Sequence, residues 1–273
     1  MNDPLAPFDL EPRSDAERAY QVLRREILSG EWLPNERLRP SSLQQRFELG
    51  LTPIREALMR LAADGLLLGE AQRGYRACGV SASEWKDLMS TRRELERSCL
   101  TQAMTSGDAT WEARIVAAMH LLARTPLPKT ANDRKTAELW EVRHRNFHYA
   151  LVSACGSAWR LRFWSTLTDH SERYRKLRLL RRKEAAAHVS NAVGDHQAIM
   201  EAVLARDIPY ATQLMDDHLG TTERAISELL RHADEATGSA SKRSEPKMIE
   251  AKAAKAKTIK ARVTASKARQ KRT

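Results

Sequence analysis

Apolar positions recur at helical spacing along most of the chain. In residues 16–28 they fall at Ala19, Tyr20, Leu23, Ile27 and Leu28, the spacing of one helix face. Gly30 ends that helix and Pro34 follows in a turn. Ser41 or Ser42 can cap a short helix through Phe47, and residues 48–51 read as a turn. Thr52 is the predicted N-cap of the next helix, with Pro53 at the favoured first position. Ile54, Leu58 and Leu61 line one face of it, up to Asp64-Gly65. The pattern then shortens into two predicted strands, Leu66–Glu70 and Tyr75–Val80, around a turn at 71–74.

Beyond residue 82 the helical period dominates. The pattern predicts six helices, roughly 83–105, 109–123, 134–154, 157–180, 186–205 and 207–232, with breaks such as Gly107-Asp108 and Asp207-Ile208-Pro209. The fold class is therefore mainly α. An N-terminal winged helix-turn-helix (15–80) follows a loose leader (1–14). A C-terminal antiparallel all-helical bundle (83–234) comes next, then a disordered Lys/Ala-rich basic tail (238–273).

Three helices and a hairpin suit DNA. The helix beginning near Thr52 can enter the major groove with its N-terminal end toward the bases, while the hairpin tip reaches the backbone or the minor groove. Arg55 projects from its first turn toward a guanine or a phosphate, and Thr52 at the helix N-terminus suits a phosphate. Arg39, Arg46 and Arg73 are further backbone candidates. The alternative is a small structural helical domain with ordinary surface arginines.

Charge alone does not decide this. The net charge is +11, but residues 241–273 carry 12 Lys or Arg against two Glu, while residues 1–240 hold 34 basic and 33 acidic side chains. The basicity belongs to the tail. It would add nonspecific phosphate attraction, or serve only as a solubilising extension. No run approaches 18 apolar residues, so no membrane span is expected. Cys78, Cys99 and Cys155 are few and widely spaced, which excludes a disulfide framework and favours a reducing cytoplasm; the DNA-binding reading adds association with the nucleoid.

Candidate chemistry lies in the bundle. His144 and His148 share one helix face with Trp140, Phe147, Leu151 and Val152. His196 lies with Ile199, Met200 and Val203, and His218 with Ala211, Leu214 and Ala225. Three inward faces thus offer imidazole nitrogens, the way bundles build metal sites, although chance placement on apolar faces gives the same pattern. Neutral imidazole suits a divalent ion, zinc or nickel first. His120 and His170 read as hydrogen-bonded core histidines. The i, i+4 pair has no intervening Glu, so it is not the metalloprotease arrangement and no catalytic residue is assigned.

The stretch ILSG, then Leu33-Pro34-Asn35-Glu36-Arg37-Leu38, TPIREAL at 52–58, Asp64-Gly65-Leu66 and Arg73-Gly74-Tyr75 resembles the winged helix of the GntR family. That resemblance implies DNA contacts by Arg55 and by the wing turn Gln72-Arg73-Gly74. Two positions depart from the family pattern. Gly50-Leu51 replaces the usual Ser-Arg before Thr-Pro, and Asn35 stands where Gly is usual. The runs Arg92-Arg93-Glu94-Leu95-Glu96, His144 to Val152, Asp195 to Ala202, and Asp207 to Leu219 resemble the FCD effector domain of the FadR-type subfamily. Its usual metal set is one Asp and three His. The three His match His148, His196 and His218, and His144 stands at the Asp position.

The resemblance further implies a small carboxylate effector, approached by Arg92, with its neighbour Arg93 as the alternative. The competing reading of Arg92 is a surface pair with Glu96. Arg173 and Arg175, in a run similar to the carbon-starvation and glutarate-responsive branch, face either the pocket or solvent. The resemblance implies a homodimeric, ligand-responsive transcriptional regulator on operator DNA, a repressor by preference and not an enzyme. The alternatives are a metal-dependent enzyme with a DNA-targeting domain and a tail-driven nonspecific DNA binder. Salt dependence separates the last of these from the first.

Overall fold

The structure is a computed structural model that describes residues 12, 14–70, 74–128, 133–180 and 192–232. The chain divides into two units, Met1–Ser227 and Glu228–Thr273. The predicted leader apart from residues 12 and 14, the wing tip at 71–73 and the basic tail lie outside the described residues.

Helix α1 (Asp15–Leu28) starts where the Ser14 hydroxyl accepts the Glu17 N–H at 3.1 Å. It buries Ala19, Leu23, Ile27 and Leu28. Helix α2 (Pro40–Phe47) begins earlier than Ser41 or Ser42: Pro40 opens it, and the Arg39 carbonyl takes the N–H groups of Ser42 and Leu43. Helix α3 (Leu51–Ala63) also starts early. The Gly50 carbonyl accepts the Ile54 N–H at 3.3 Å, so Gly50 is the N-cap and Thr52 sits inside the first turn. Pro53 is tolerated there because its missing N–H has no intrahelical acceptor.

Strands β2 (Leu67–Glu70) and β3 (Gly74–Ala77) form the hairpin. A two-residue strand, β1 (Arg37–Leu38), joins it, giving the antiparallel order β1-β3-β2 with Leu38 opposite Tyr75. Two residues are too few to show a period in sequence. Leu23, Ile27, Leu38, Leu43, Leu58 and Leu61 close one core beneath the sheet. Asn35, where the family favours Gly, has φ +66, a left-handed conformation that Asn accepts better than most residues.

The second block is helical. It comprises α4 (Ala82–Ser106), α5 (Ala109–Ala123), α6 (Arg134–Val152), α7 (Ala158–Leu180) and α8 (Ala192–Leu204). Residues 208–232 are helical too, and α9 denotes their stretch 208–227. Ser81 caps α4 and Asp108 caps α5 through side-chain oxygens. Helix α4 packs on α6 and α7, and α5 on α6 and α8. Buried tryptophans join the layers with their N–H groups satisfied: Trp111 donates to the Ala150 carbonyl at 2.7 Å and Trp85 to that of Glu223 at 3.1 Å. Cys78, Cys99 and Cys155 are free thiols. No helix among the described residues is long and apolar enough to cross a membrane.

Candidate functional site

Helix α6 carries Glu141, His144, Arg145 and His148 at i, i+3, i+4 and i+7, one continuous face. All four are buried, as are Trp140, Phe147, Leu151 and Val152. Helix α8 brings His196 and α9 brings His218. One ligand nitrogen from each of the four histidines lies within 4.8 Å of the others. Nε2 of His148 is 3.3 Å from Nε2 of His196. Trp140 stacks on the His144 ring with centroids 4.7 Å apart. His144, His148 and His196 are buried and His218 is half-buried. The arrangement predicted from helix faces is therefore present in three dimensions.

Burial holds His144, His148 and His218 well below the ordinary imidazole pKa, and the neighbouring histidines add to the effect. These rings are neutral near pH 7 and keep a free lone pair. A tetrahedral ion with Zn–N bonds near 2.05 Å requires nitrogens ~3.3 Å apart, which is the His148–His196 separation. Among the described residues, Nδ1 of His144 and Nδ1 of His148 are buried without a hydrogen-bond partner. The donor set, its spacing and its protonation all fit a divalent metal.

A layer of buried ion pairs surrounds the histidines. Arg92 lies 3.7 Å from Glu96 on α4, both essentially inaccessible. The surface-pair reading of Arg92 and Glu96 is thereby corrected. Burial lowers the Arg92 guanidinium to about 10 and raises the Glu96 carboxyl. Glu96 accepts the Trp164 indole N–H at 2.7 Å, and its Oε1 is 3.7 Å from Nδ1 of His148. Arg175 on α7 donates to Glu141 at 2.9 Å. Burial opposes its charge, but Glu141 outweighs that and raises its pKa. Arg145 pairs with Asp169 and lies 3.5 Å from Glu172.

Of the four candidate effector arginines, the structure brings Arg92 and Arg175 to the cluster. Arg93 points elsewhere, holding Asp216 at 2.6 Å and Glu223 at 3.1 Å. Arg173 donates to the Gly79 carbonyl at 2.6 Å and also contacts His170. Helical counting puts 92 and 93 about 100° apart, so only one of them can face inward. Glu141, Arg145 and Glu172 were not singled out from sequence, although the α6 spacing of Glu141 and Arg145 with the two histidines was a usable signal. His120 is exposed, not a core residue, while His170 contacts the Asp64 carbonyl at 2.9 Å. Asp217, beside His218, is exposed and takes a hydrogen bond from Gln213.

On the winged helix, Thr52 is exposed on the first turn of α3 and Arg55 at the start of the second, and Arg39 is exposed before α2. Among the described residues neither Arg39 nor Arg55 has an ion-pair partner. Arg46 is committed: it holds Glu26 at 2.7 Å and lies over the Trp32 and Phe47 rings. Gly74 opens β3 at φ +88, where an added Cβ would meet the Leu38 carbonyl at 3.1 Å. Gln72 and Arg73 lie outside the described residues.

Residues 15–76 match the family "Bacterial regulatory proteins, gntR family", and residues 87–221 match the FCD domain. The chain is 37% identical over 216 residues to the HTH-type transcriptional regulator BphR of Paraburkholderia xenovorans (strain LB400), covering 79% of this chain and 86% of that protein. It is 36% identical over 211 residues to the HTH-type transcriptional repressor GlaR of Escherichia coli (strain K12), covering 77% and 95%. The chain belongs to the GntR family. Its FCD domain fits the FadR-type subfamily. The solved structure of E. coli McbR/YncC shares the fold, with a TM-score of 0.66 at 16% identity, covering 79% of this chain and 98% of that one. This GntR-family chain is a transcriptional regulator with a winged helix and an FCD domain.

Proposed function

We propose that the protein is a ligand-responsive repressor whose operator affinity is set by a small carboxylate bound at a metal-containing FCD site. The observation that carries this reading is the set of four histidine nitrogens within 4.8 Å, flanked by buried Arg92 and Arg175. His144, His148, His196 and His218 are the metal ligands in this reading, and zinc or nickel suits them. When bound, the ion supplies a cationic Lewis-acid anchor for a carboxylate oxygen.

Charge counting points to the effector class. The layer sets Arg24, Arg92, Arg145 and Arg175 against Glu96, Glu141, Asp169 and Glu172, four charges of each sign. Neutral histidines leave the charge of a divalent ion uncompensated, whereas an aspartate in place of His144 would offset part of it. An anionic ligand completes the balance, and two carboxylates balance it fully. Arg92 and Arg175 orient the acid, and Trp140 against His144 walls the site from water.

At the other end, Arg55, Thr52 and Arg39 engage the operator, with the wing residues Gln72, Arg73 and Gly74 in support. A homodimer presents two such faces to a near-palindromic site. The relative GlaR is named as a repressor, which supports that sign of regulation. Regulation requires the acid to bind the free and operator-bound states unequally.

The test is metal content of the purified protein beside a His148→Ala/His196→Ala double variant, with thermal shifts against C4–C6 dicarboxylates. Stoichiometric metal that is lost in the variant, with a shift for one acid, supports the reading. Absence of metal from every preparation, with equal stability of the variant, overturns the sensor mechanism and leaves the winged helix untouched.

A further inference from the structure

The winged helix meets the bundle along a seam that lines an open cleft of about 640 Å³ between α1, α6 and α7. Polar contacts bridge it, exposed ones such as Arg25 with Glu138 and Glu31 with Arg134 among them, and Asp169 on α7 is the largely buried carboxylate that joins α1, α6 and α7. Its carboxylate accepts Nε of Arg24 from α1 at 3.2 Å and also Nη1 of Arg145 from α6. Asp169 and Arg145 are largely buried, 14% and 8% exposed. Burial works against the Arg24 charge, but Asp169 outweighs it and raises the Arg24 pKa.

The two faces of α7 have different partners. Asp169, His170 and Arg173 reach the winged helix and its exit, at Arg24 and at the carbonyls of Asp64 and Gly79. Glu172 and Arg175 join the ion-pair layer beside the histidines, through Arg145 and Glu141. Arg145 adjoins His144 in sequence and lies one turn before His148. Displacement of α6 at the histidines therefore moves the guanidinium that shares Asp169 with α1. Gly65, at φ +74, sits so close to this contact that an added Cβ would lie 3.2 Å from the His170 ring. The seam therefore has little slack at that point.

We infer that Asp169 is the coupling residue of this regulator: shared between Arg24 and Arg145, its carboxylate carries a change at the histidine cluster into helix α1. The inference rests on reading that cluster as a ligand site. Two arginines draw on one carboxylate, so a shift of either guanidinium is felt by the other, and coupling requires an element that both ends bias. Loss of the Asp169 charge leaves Arg145 with Glu172 and with Ser165 at 2.9 Å. Arg24 on α1 loses the carboxylate that holds it. Asp169→Asn thus removes the buried charged link to α1 and spares the cluster.

The experiment is hydrogen–deuterium exchange on the intact full-length protein, metal-free and with zinc as the probe. In the parent protein zinc slows exchange in α6 and α8 and changes exchange in α1. In Asp169→Asn the α6 and α8 response is kept and the α1 response is lost. An α1 response of equal size in the variant overturns the inference. So does a parent protein in which α6 responds and α1 does not. Arg24→Gln gives the same loss from the other side of the seam, and it replaces Asp169→Asn where that variant does not fold.

If zinc leaves α6 unchanged, the metal reading itself fails, and the seam is probed with Glu141→Gln, which removes the partner of Arg175. That change then alters α1 exchange when Asp169 is present and not in the Glu141→Gln/Asp169→Asn double variant. Equal α1 change in both, or none in either, overturns the coupling.

Discussion

Glu96 on α4 stands behind His148 on α6, its Oε1 3.7 Å from Nδ1 while Nε2 of the same ring faces His196 at 3.3 Å. A carboxylate behind one ring nitrogen favours the proton there and leaves the other lone pair free for a metal. Glu96 is itself fixed by the Trp164 indole and flanked by Arg92. One buried carboxylate thereby lies against both a metal-ligand candidate and a candidate effector arginine.

Glu96→Gln tests that double role. The neutral amide no longer draws the proton to Nδ1, so zinc affinity is expected to fall about 10- to 100-fold. Competition against a chromophoric chelator reads this directly. Arg92 loses its buried countercharge in the same variant, so thermal stability falls as well. Unchanged zinc affinity would remove Glu96 from the metal site.

His144→Asp converts the set to the one Asp and three His that the family resemblance implies. Metal binding is expected to survive, because the replacement is itself a ligand. The site becomes less cationic, so a dicarboxylate binds more weakly to the metal-loaded variant. Titration calorimetry with one acid and both proteins measures the difference. Equal or tighter binding by the aspartate variant would sink the charge-balance argument.

The histidine cluster was legible in sequence because a helix face repeats every three to four residues, and inward faces must meet. The ion-pair layer was not. The partners of Arg93, Arg173 and Arg175 come from segments far apart in sequence, and side-chain type does not encode that choice; the Arg92–Glu96 spacing was visible at i, i+4, but its burial was not. The winged helix was legible through its turn residues and apolar faces. Its misplaced starts, at Thr52 for α3 and at Ser41 or Ser42 for α2, have one cause: backbone carbonyls of Gly50 and Arg39 begin those helices, and no side-chain pattern marks a carbonyl. Strand β1 is too short to alternate.

Arg93 and Arg92 separate under acid. The Arg93 guanidinium holds the Asp216 carboxyl below its ordinary value of 3.8. The folded-state pKa is depressed, so the pair stabilises the fold above that value, and the contribution is lost as pH falls through the lower folded pKa. Partial exposure screens it to about 1 kcal/mol or less. Arg93→Gln is expected to lower the melting temperature slightly at pH 7, with the gap to the parent closing below pH ~4. Effector binding stays intact in Arg93→Gln and is lost in Arg92→Gln. Calorimetry across pH and an acid titration at pH 7 check both halves.

Arg55→Ala addresses the operator. The side chain is exposed near the N-terminal end of α3, where an arginine can read a guanine edge. Loss of such a contact costs about 1–3 kcal/mol, roughly a tenfold or larger drop in affinity, and relaxes preference at one base position. Arg46→Ala, by contrast, removes the contacts with Glu26, Trp32 and Phe47, so its first effect is on stability. Binding to a panel of single-base operator variants distinguishes them: a uniform loss across the panel for Arg55→Ala would make it a phosphate contact.

The tail makes a separable prediction. Its 12 basic residues lie within 241–273, and each phosphate contact they make contributes about 0.9 to the slope of log affinity against log salt on duplex DNA. Removal of residues 238–273 is expected to flatten that slope and weaken binding to random duplex. Preference for operator over random sequence persists, because base readout resides in the winged helix. Filter binding from low to high salt, with both DNAs and both proteins, gives the two quantities together. An unchanged slope would make the tail a bystander. A loss of operator preference along with the slope would instead move the source of specificity away from Arg55 and the wing.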